Sequence, residues 1–305
     1  MGISRWRLAD RTLELARPVG VGIVNVTHDS MFEGARSVTP ERAVEDGRRL
    51  LEEGFEMLDI GAVAARSGPP IPADEEASRL IPAIEGLANA TEAPLSADTF
   101  SPEVAERALR AGAVAINDIG GGEPAMLDVA ARSGCGLVIM HIEGRPREDR
   151  APRDYGDPVE HLGAWFDQRI ELAASRGVSP EQIAIDPGLD FDLSVADNLE
   201  ILRRLGELRE LGRPLYVSLS RKDFLGAMVA GAWDRRLPAS EREWATASAA
   251  AIAVAAGADL LRLHDASALQ AVRIAAAIAG DPVRGDFSSS IDEKAPRVAS
   301  ESGDG

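Results

Sequence analysis

The sequence predicts an α/β protein: a closed (β/α)8 barrel of the TIM type, with a short N-terminal extension and a disordered acidic C-terminal tail. Three observations predict it. Apolar runs of about 4 to 8 residues alternate with longer segments of helical period, the pattern of strands buried on both faces between amphipathic helices. Eight such units occupy roughly 260 residues, and eight is the number that closes a barrel. The first run is not followed by Gly-x-Gly-x-x-Gly, which argues against an open doubly wound sheet.

Residues 6–16 precede the first run and read as a short element able to plug the bottom of the barrel. The first strand spans residues 19–26, and the helix at 40–53 starts with Thr39-Pro40, a capping hydroxyl ahead of a first-turn proline. The second unit is strand 55–60 with helix 73–88. The third is strand 94–97 with helix 102–111, opened by Ser101-Pro102. Strands follow at 114–117 and 136–141, the latter leading to helix 158–176. The sixth strand, 183–186, leads to helix 195–211. The seventh, 215–219, leads to helix 241–256, where Ser240-Glu241-Arg242-Glu243 reads as a capping box. The eighth strand is 260–264. Gly54, Gly112, Gly134, Gly177, Gly212 and Gly257 stop helices just before strands. Residues 1–280 therefore read as one barrel domain, and 281–305, rich in Ser, Asp, Glu and Gly, as a tail.

Composition narrows the function. Fifty acidic against 33 basic residues leave a net charge of −17, which repels nucleic acid and anionic lipid unless basic residues cluster. No run approaches the roughly 20 apolar residues of a membrane span. The expectation is a cytoplasmic protein that binds neither nucleic acid nor membrane. A single cysteine, Cys135, permits no internal disulfide and agrees with a reducing compartment.

Active sites of such barrels sit at the C-terminal strand ends, and here all eight ends carry polar groups. In order they are Asn25, Asp59, Asp98, Asn117-Asp118, Met140-His141, Asp186, Ser220-Arg221-Lys222 and Arg262-Leu263-His264. Asp98, Asn117, Asp186 and Lys222 offer acceptors and donors at inner positions. Such a set suits a flat heterocycle with a mixed donor/acceptor edge. Arg262 and His264 alternate with Leu263, so both face one side and form an anion clamp. The amide oxygen of Asn25 suits a hard cation accompanying a phosphate.

At these residues the chain resembles the dihydropteroate synthase family of pterin-binding barrels, from about residue 19 to 279. GIVNVTHDS, SADTF, AINDIGG, VIMHIEGRP, IDPGLDF, SLSRKDFLG and LLRLHD resemble the family signatures in order and spacing. The resemblance implies condensation of 6-hydroxymethyl-7,8-dihydropterin pyrophosphate with p-aminobenzoate, releasing pyrophosphate, in folate biosynthesis. It implies Lys222, Arg262 and Asp98 as catalytic residues. It places the pterin on Asp98, Asn117, Asp186 and Lys222, with Met140 and Phe191 beside the ring. Asn25, Arg262 and His264 would bind pyrophosphate, with Mg2+ on Asn25, while Arg66, Ser220 and the loop around Asp29 would cover p-aminobenzoate. It also implies a homodimer through the last helices, where small residues in 245–256 and 268–279 offer flat surfaces.

Three loops depart from the family pattern. Asp59-Ile60-Gly61-Ala62-Val63-Ala64-Ala65-Arg66-Ser67-Gly68 stands where the family has Asp-Ile-Gly-Gly-Glu-Ser-Thr-Arg-Pro-Gly. His28 replaces a proline, and Asp190-Phe191-Asp192-Leu193 replaces Gly-Phe-Gly-Lys. These changes keep open a pterin-binding paralogue without synthase activity or with another acceptor. The pterin-binding half of a methyltransferase is a further alternative. Among the remaining residues, His161 reads as a surface position on a helix, His141 as structural or site-forming, and Cys135 as inert packing.

Overall fold

The structure is a computed structural model that describes residues 5–26, 39–64, 68–69, 71–148 and 153–278. Two short strands, β1 (Arg5–Arg7) and β2 (Thr12–Glu14), form an antiparallel hairpin. Eight parallel strands follow: β3 (Val19–Asn25), β4 (Met57–Gly61), β5 (Leu95–Asp98), β6 (Ala115–Asp118), β7 (Gly136–Met140), β8 (Ile183–Asp186), β9 (Tyr216–Ser218) and β10 (Leu260–Leu263). The first of these pairs with the last, Leu260 opposite Val19, and a single bridge from Ile185 to Leu215 joins β8 to β9. The sheet is thus a closed barrel.

Helices connect the strands: α1 (Pro40–Glu52), α2 (Ala73–Ala90), α3 (Pro102–Arg110), α4 (Pro124–Ser133), α5 (Pro158–Ser175), α6 (Val195–Arg203), α7 (Asp223–Ala230), α8 (Glu243–Ala255) and α9 (Ala266–Ile278). Thr39 and Ser101 cap α1 and α3 ahead of prolines, as their sequence predicts. The capping box expected at 240–243 does not form. Ala239–Glu241 is a 3-10 turn, and Arg242 precedes α8 with its side chain buried, donating to Asp223 Oδ1 (2.6 Å) and to the Arg221 carbonyl (2.8 Å). A long-range ion pair outcompetes the local cap. Likewise, the helix expected over 195–211 ends at Arg203, and Leu205–Leu211 tightens into 3-10 turns before Gly212, whose φ of +66° ends it.

The hairpin fills the bottom of the barrel. Trp6 is fully buried among Val19, Val21, Met57, Val138, Ala184 and Tyr216, and its indole N–H donates to the Gln182 carbonyl at 2.7 Å. At Gly136 a Cβ would lie 2.7 Å from Leu8 and 2.9 Å from Trp6, so the close approach requires glycine there. Sequestering Trp6 and Leu8 at this end leaves the other end as the open mouth.

Candidate active site

The mouth is organised around Asp59, at the inner face of β4 and fully buried. Its carboxylate accepts from Ser96 Oγ, from Asn117 Nδ2 (3.0 Å) and from Arg262 Nε (2.5 Å). Arg262 Nη2 reaches Asp98 Oδ2 at 2.7 Å. One guanidinium on β10 therefore bridges carboxylates on β4 and β5, a contact that only the closed barrel permits. The clamp expected at Arg262 is thus largely committed inside the protein, and Nη1 is the edge without a hydrogen bond among the described residues. Burial, with Asp59 alongside, pushes Asp98 up to about 7 despite the opposing charge of Arg262. Gly61 makes room for this carboxylate, since a Cβ there would stand 3.2 Å from Asp98 Oδ2.

Asp186 ends β8. Its Oδ1 accepts from the Gly188 N–H and its Oδ2 from Ser218 Oγ, both at 2.8 Å. Burial raises its pKa, and the Gly188 bond and nearby Lys222 oppose the rise. Lys222 Nζ lies 4.9 Å from the Phe191 ring centre, and its charge acts on both Asp98 and Asp186. Phe191 and Met140 pack with Ile119, Ile142 and Phe100 into an apolar patch apart from the main core. A wall of Asp98, Asn117, Asp186 and Lys222 beside an apolar floor is what a planar, polar-edged heterocycle requires.

On the other side, Asn25 Nδ2 lies 3.4 Å from His264 Nε2, and His264 Nδ1 lies 2.7 Å from Ser220 Oγ. Burial and the adjacent Arg262 hold His264 near 3, so the ring is neutral. The amide N–H facing Nε2 makes that nitrogen the acceptor and Nδ1 the proton carrier. With its nitrogen turned to His264, Asn25 has its amide oxygen left for a hard cation.

Several signature residues prove architectural. Arg221, at φ +59°, donates from Nε (3.1 Å) and Nη2 (2.7 Å) to Asp265, so the SRK and R-x-HD segments lock each other. Asp118 accepts from the Gly120 and Gly122 N–H groups at 2.8 Å, and burial pushes it up to about 6. Asp190 accepts the Asp223 and Phe224 N–H groups at the start of α7, Asp192 accepts the Glu143 N–H at 3.1 Å, and Leu193 is buried. The departures after β8 thus serve capping and packing. Arg66, His28 and Asp29 lie outside the described residues.

Two contributors escape sequence reasoning. Asp59 is visible as a polar strand end, yet nothing local reveals that it holds Arg262, 203 positions away. Arg147, at φ +67°, donates to the Pro69 carbonyl at 3.0 Å and to the Ala64 carbonyl, spanning from the β7 loop to the β4 loop. His161 departs from its reading as a plain surface position: its side chain is one-third exposed, and its ring faces His141, their Nε2 atoms 3.4 Å apart.

Comparison with known proteins agrees with this geometry. The family model described as "Pterin binding enzyme" matches residues 21–264. The dihydropteroate synthase of Synechocystis sp. is 38% identical over 252 residues, covering 82% of this chain and 86% of that protein. That of Escherichia coli is 31% identical over 266 residues, covering 86% and 92%. Among solved structures, Xanthomonas albilineans dihydropteroate synthase with 4-aminobenzoic acid superposes with a TM-score of 0.81 at 40% identity, covering 92% of this chain and 99% of that one. The same enzyme in complex with 7,8-dihydropteroate gives 0.78 at 40% identity, covering 90% and 99%.

Proposed function

We infer the reaction from the premise that this chain belongs to the pterin-binding enzyme family, with dihydropteroate synthases as its relatives. It is a transferase of folate biosynthesis. It condenses 6-hydroxymethyl-7,8-dihydropterin pyrophosphate with p-aminobenzoate and releases pyrophosphate. The observation that carries the reading is the convergence of Asp98, Asn117, Asp186 and Lys222 on one mouth beside the Met140–Phe191 floor.

In the residue assignment we propose, Asp98, Asn117, Asp186 and Lys222 hold the pterin edge, with Met140 and Phe191 under the ring. Asn25, Arg262 Nη1 and His264 face the pyrophosphate, and Ser220 and Arg66 lie on the p-aminobenzoate side. The C–O bond to pyrophosphate breaks, the electron-rich pterin stabilises the developing cation, and the arylamine nitrogen forms the new C–N bond and then loses a proton. No covalent enzyme intermediate is needed; the residues bind, orient and stabilise charge. The amide oxygen of Asn25, left over from the His264 contact, is a hard donor that would hold Mg2+. When bound, that ion offsets the charge of the leaving pyrophosphate.

Pyrophosphate release by the purified chain with both substrates and Mg2+ tests the activity. Turnover no faster than that of Lys222→Ala, or independent of p-aminobenzoate, would overturn it. The reading without synthase activity loses part of its ground, because Asp190, Asp192 and Leu193 are engaged in capping and packing.

Two measurements probe the assignment. Asp186→Asn keeps the shape and the Gly188 contact but turns a donor toward the ligand, and Ser218 can rotate to accept. Pterin affinity is expected to fall about 10- to 100-fold, from a cost of about 1–3 kcal/mol, while unfolding stays cooperative. Calorimetric isotherms that match the parent would sink the role. Asp98, pushed up to about 7, is partly protonated at about pH 6.5. A ligand that donates to its carboxylate lowers that value, so binding is expected to release protons there and none near pH 8.5. Titrations in buffers of different ionisation enthalpy read this directly, and Asp98→Asn should abolish it.

The reading further includes a homodimer and a cytoplasmic location. Of the small residues of α8 and α9, Ala247, Ala250, Ala253, Ala268 and Ala276 are buried, while Ser248, Ala255 and Ala277 are exposed. The large exposed apolar residues of the two helices are Trp244 (82% exposed), Ile252, Ile274 and Ile278 (80%). Such a surface supports self-association, and light scattering on the parent and Trp244→Glu checks it. Among the described residues no helix is long and apolar enough to cross a membrane. The lone Cys135 is buried, which pushes its thiol up to about 11 and leaves it unreactive.

A further inference from the structure

His141 leaves β7 with its side chain fully buried, Glu143 lies two residues on, and His161 sits in the first turns of α5. His141 Nε2 is 3.4 Å from His161 Nε2, and Glu143 Oε1 is 3.3 Å from His161 Nε2 and 4.0 Å from His141 Nε2. A tetrahedral ion with ligands at about 2.0–2.1 Å spaces them about 3.3–3.4 Å apart. Two of the three edges already match, and the third closes by a small rotation of Glu143, which is one-quarter exposed. As a hydrogen bond, by contrast, the His–His contact is long. We propose that His141, Glu143 and His161 form a binding site for a divalent transition-metal ion of the zinc class, stapling the β7 loop to helix α5.

The donor set favours this ion class. Two imidazoles and a carboxylate suit zinc and its neighbours, whereas Mg2+ and Ca2+ take oxygen ligands. The rings are fixed before any ion arrives. His141 meets Trp165 edge-on at 4.9 Å between centres, and Tyr155 lies 4.5 Å from His161. His141 Nδ1 is buried without a hydrogen-bond partner among the described residues, so Nε2 is the ring atom that His141 turns to His161 and Glu143.

The surrounding charges are mixed. Arg153 approaches the other Glu143 oxygen, Oε2, at 3.8 Å and leaves Oε1 to the histidines. Arg169 lies over Trp165 and pairs with Glu123 at 3.5 Å. Asp192, buried and bonded to the Glu143 N–H, adds negative charge at the back of the cluster.

Cobalt(II) is the direct probe. Added to chelator-treated full-length protein, it should give one equivalent of a tetrahedral d–d band in the visible, which Zn2+ displaces and Mg2+ does not. A hundredfold excess of Zn2+ over its Kd should raise the unfolding midpoint by about 5 °C or more. His161→Gln alters a side chain that is one-third exposed and should leave the metal-free midpoint near that of the parent. It should abolish the cobalt band and weaken Zn2+ by more than the roughly 10- to 100-fold that loss of an outer-shell partner costs. Absence of the band in the parent, or an unchanged Zn2+ isotherm in both His161→Gln and Glu143→Gln, overturns the site.

Discussion

Arg262→Ala is expected to lose about 3–5 kcal/mol of stability near neutral pH. The guanidinium holds Asp59 at 2.5 Å and Asp98 at 2.7 Å. Asp59 has no exposure to water. Without the cation, Asp59 retains Ser96 and Asn117 among the described residues, and two neighbouring carboxylates face each other in a desolvated space. Asp98, already raised by burial, then rises further because the opposing charge of Arg262 is gone. A carboxylate whose folded pKa is raised stabilises the fold less as pH rises above its unfolded value. The deficit should therefore be smaller at pH 5 than at pH 8. Urea unfolding at the two pH values measures it, and Arg262→Lys, which keeps the charge but not the fork, should fall in between. A deficit below about 1 kcal/mol, or one that does not grow with pH, would show that this cluster does not carry the mouth of the barrel.

Gly188→Ala is expected to be nearly as damaging, at about 3 kcal/mol or more. Gly188 adopts φ +69°, and a Cβ there would stand 2.1 Å from the carbonyl oxygen of His141. That oxygen belongs to the backbone, and the His141 N–H is itself bonded to the Asp186 carbonyl at 2.8 Å. Neither side can yield without opening the contact between the ends of β7 and β8. The same displacement breaks the Gly188 N–H bond to Asp186 and misplaces the carboxylate assigned to the pterin. Pterin affinity and melting temperature should fall together, whereas Asp186→Asn moves affinity alone. A variant that melts like the parent would mean that the loop relaxes around the added methyl.

The sequence displays this barrel because the determinants of its elements are local. Pro40 and Pro102 follow their capping hydroxyls, and Gly54, Gly112, Gly134, Gly177, Gly212 and Gly257 take the positive φ that ends each helix. Asp98, Asn117, Asp186 and Lys222 are legible because strand ends in a barrel converge whatever their distance along the chain. Pairings are not legible in this way. Nothing near Arg242 announces that it turns away from a cap to bind Asp223. Nothing near His161, on a helix of ordinary pattern, announces that His141 waits beneath it. Asp190 looks like an added charge in a substrate loop until α7 is seen to begin on it.

The pairing of β3 with β10 sets the order in which this chain acquires structure. Val19 finds its partner only when Leu260 exists, and Trp6 finds its acceptor only when Gln182 does. Until then β3, apolar and buried along nearly its whole length in the finished protein, has one edge unpaired. Closing so distant a contact is a slow event with a large entropic cost. A ribosome adding about 5–20 residues per second leaves that edge bare for on the order of ten seconds or longer. The incomplete barrel is therefore the species most exposed to pairing with a neighbour, and a chaperone that shields this edge would act before the mouth, and the chemistry it holds, has come into being.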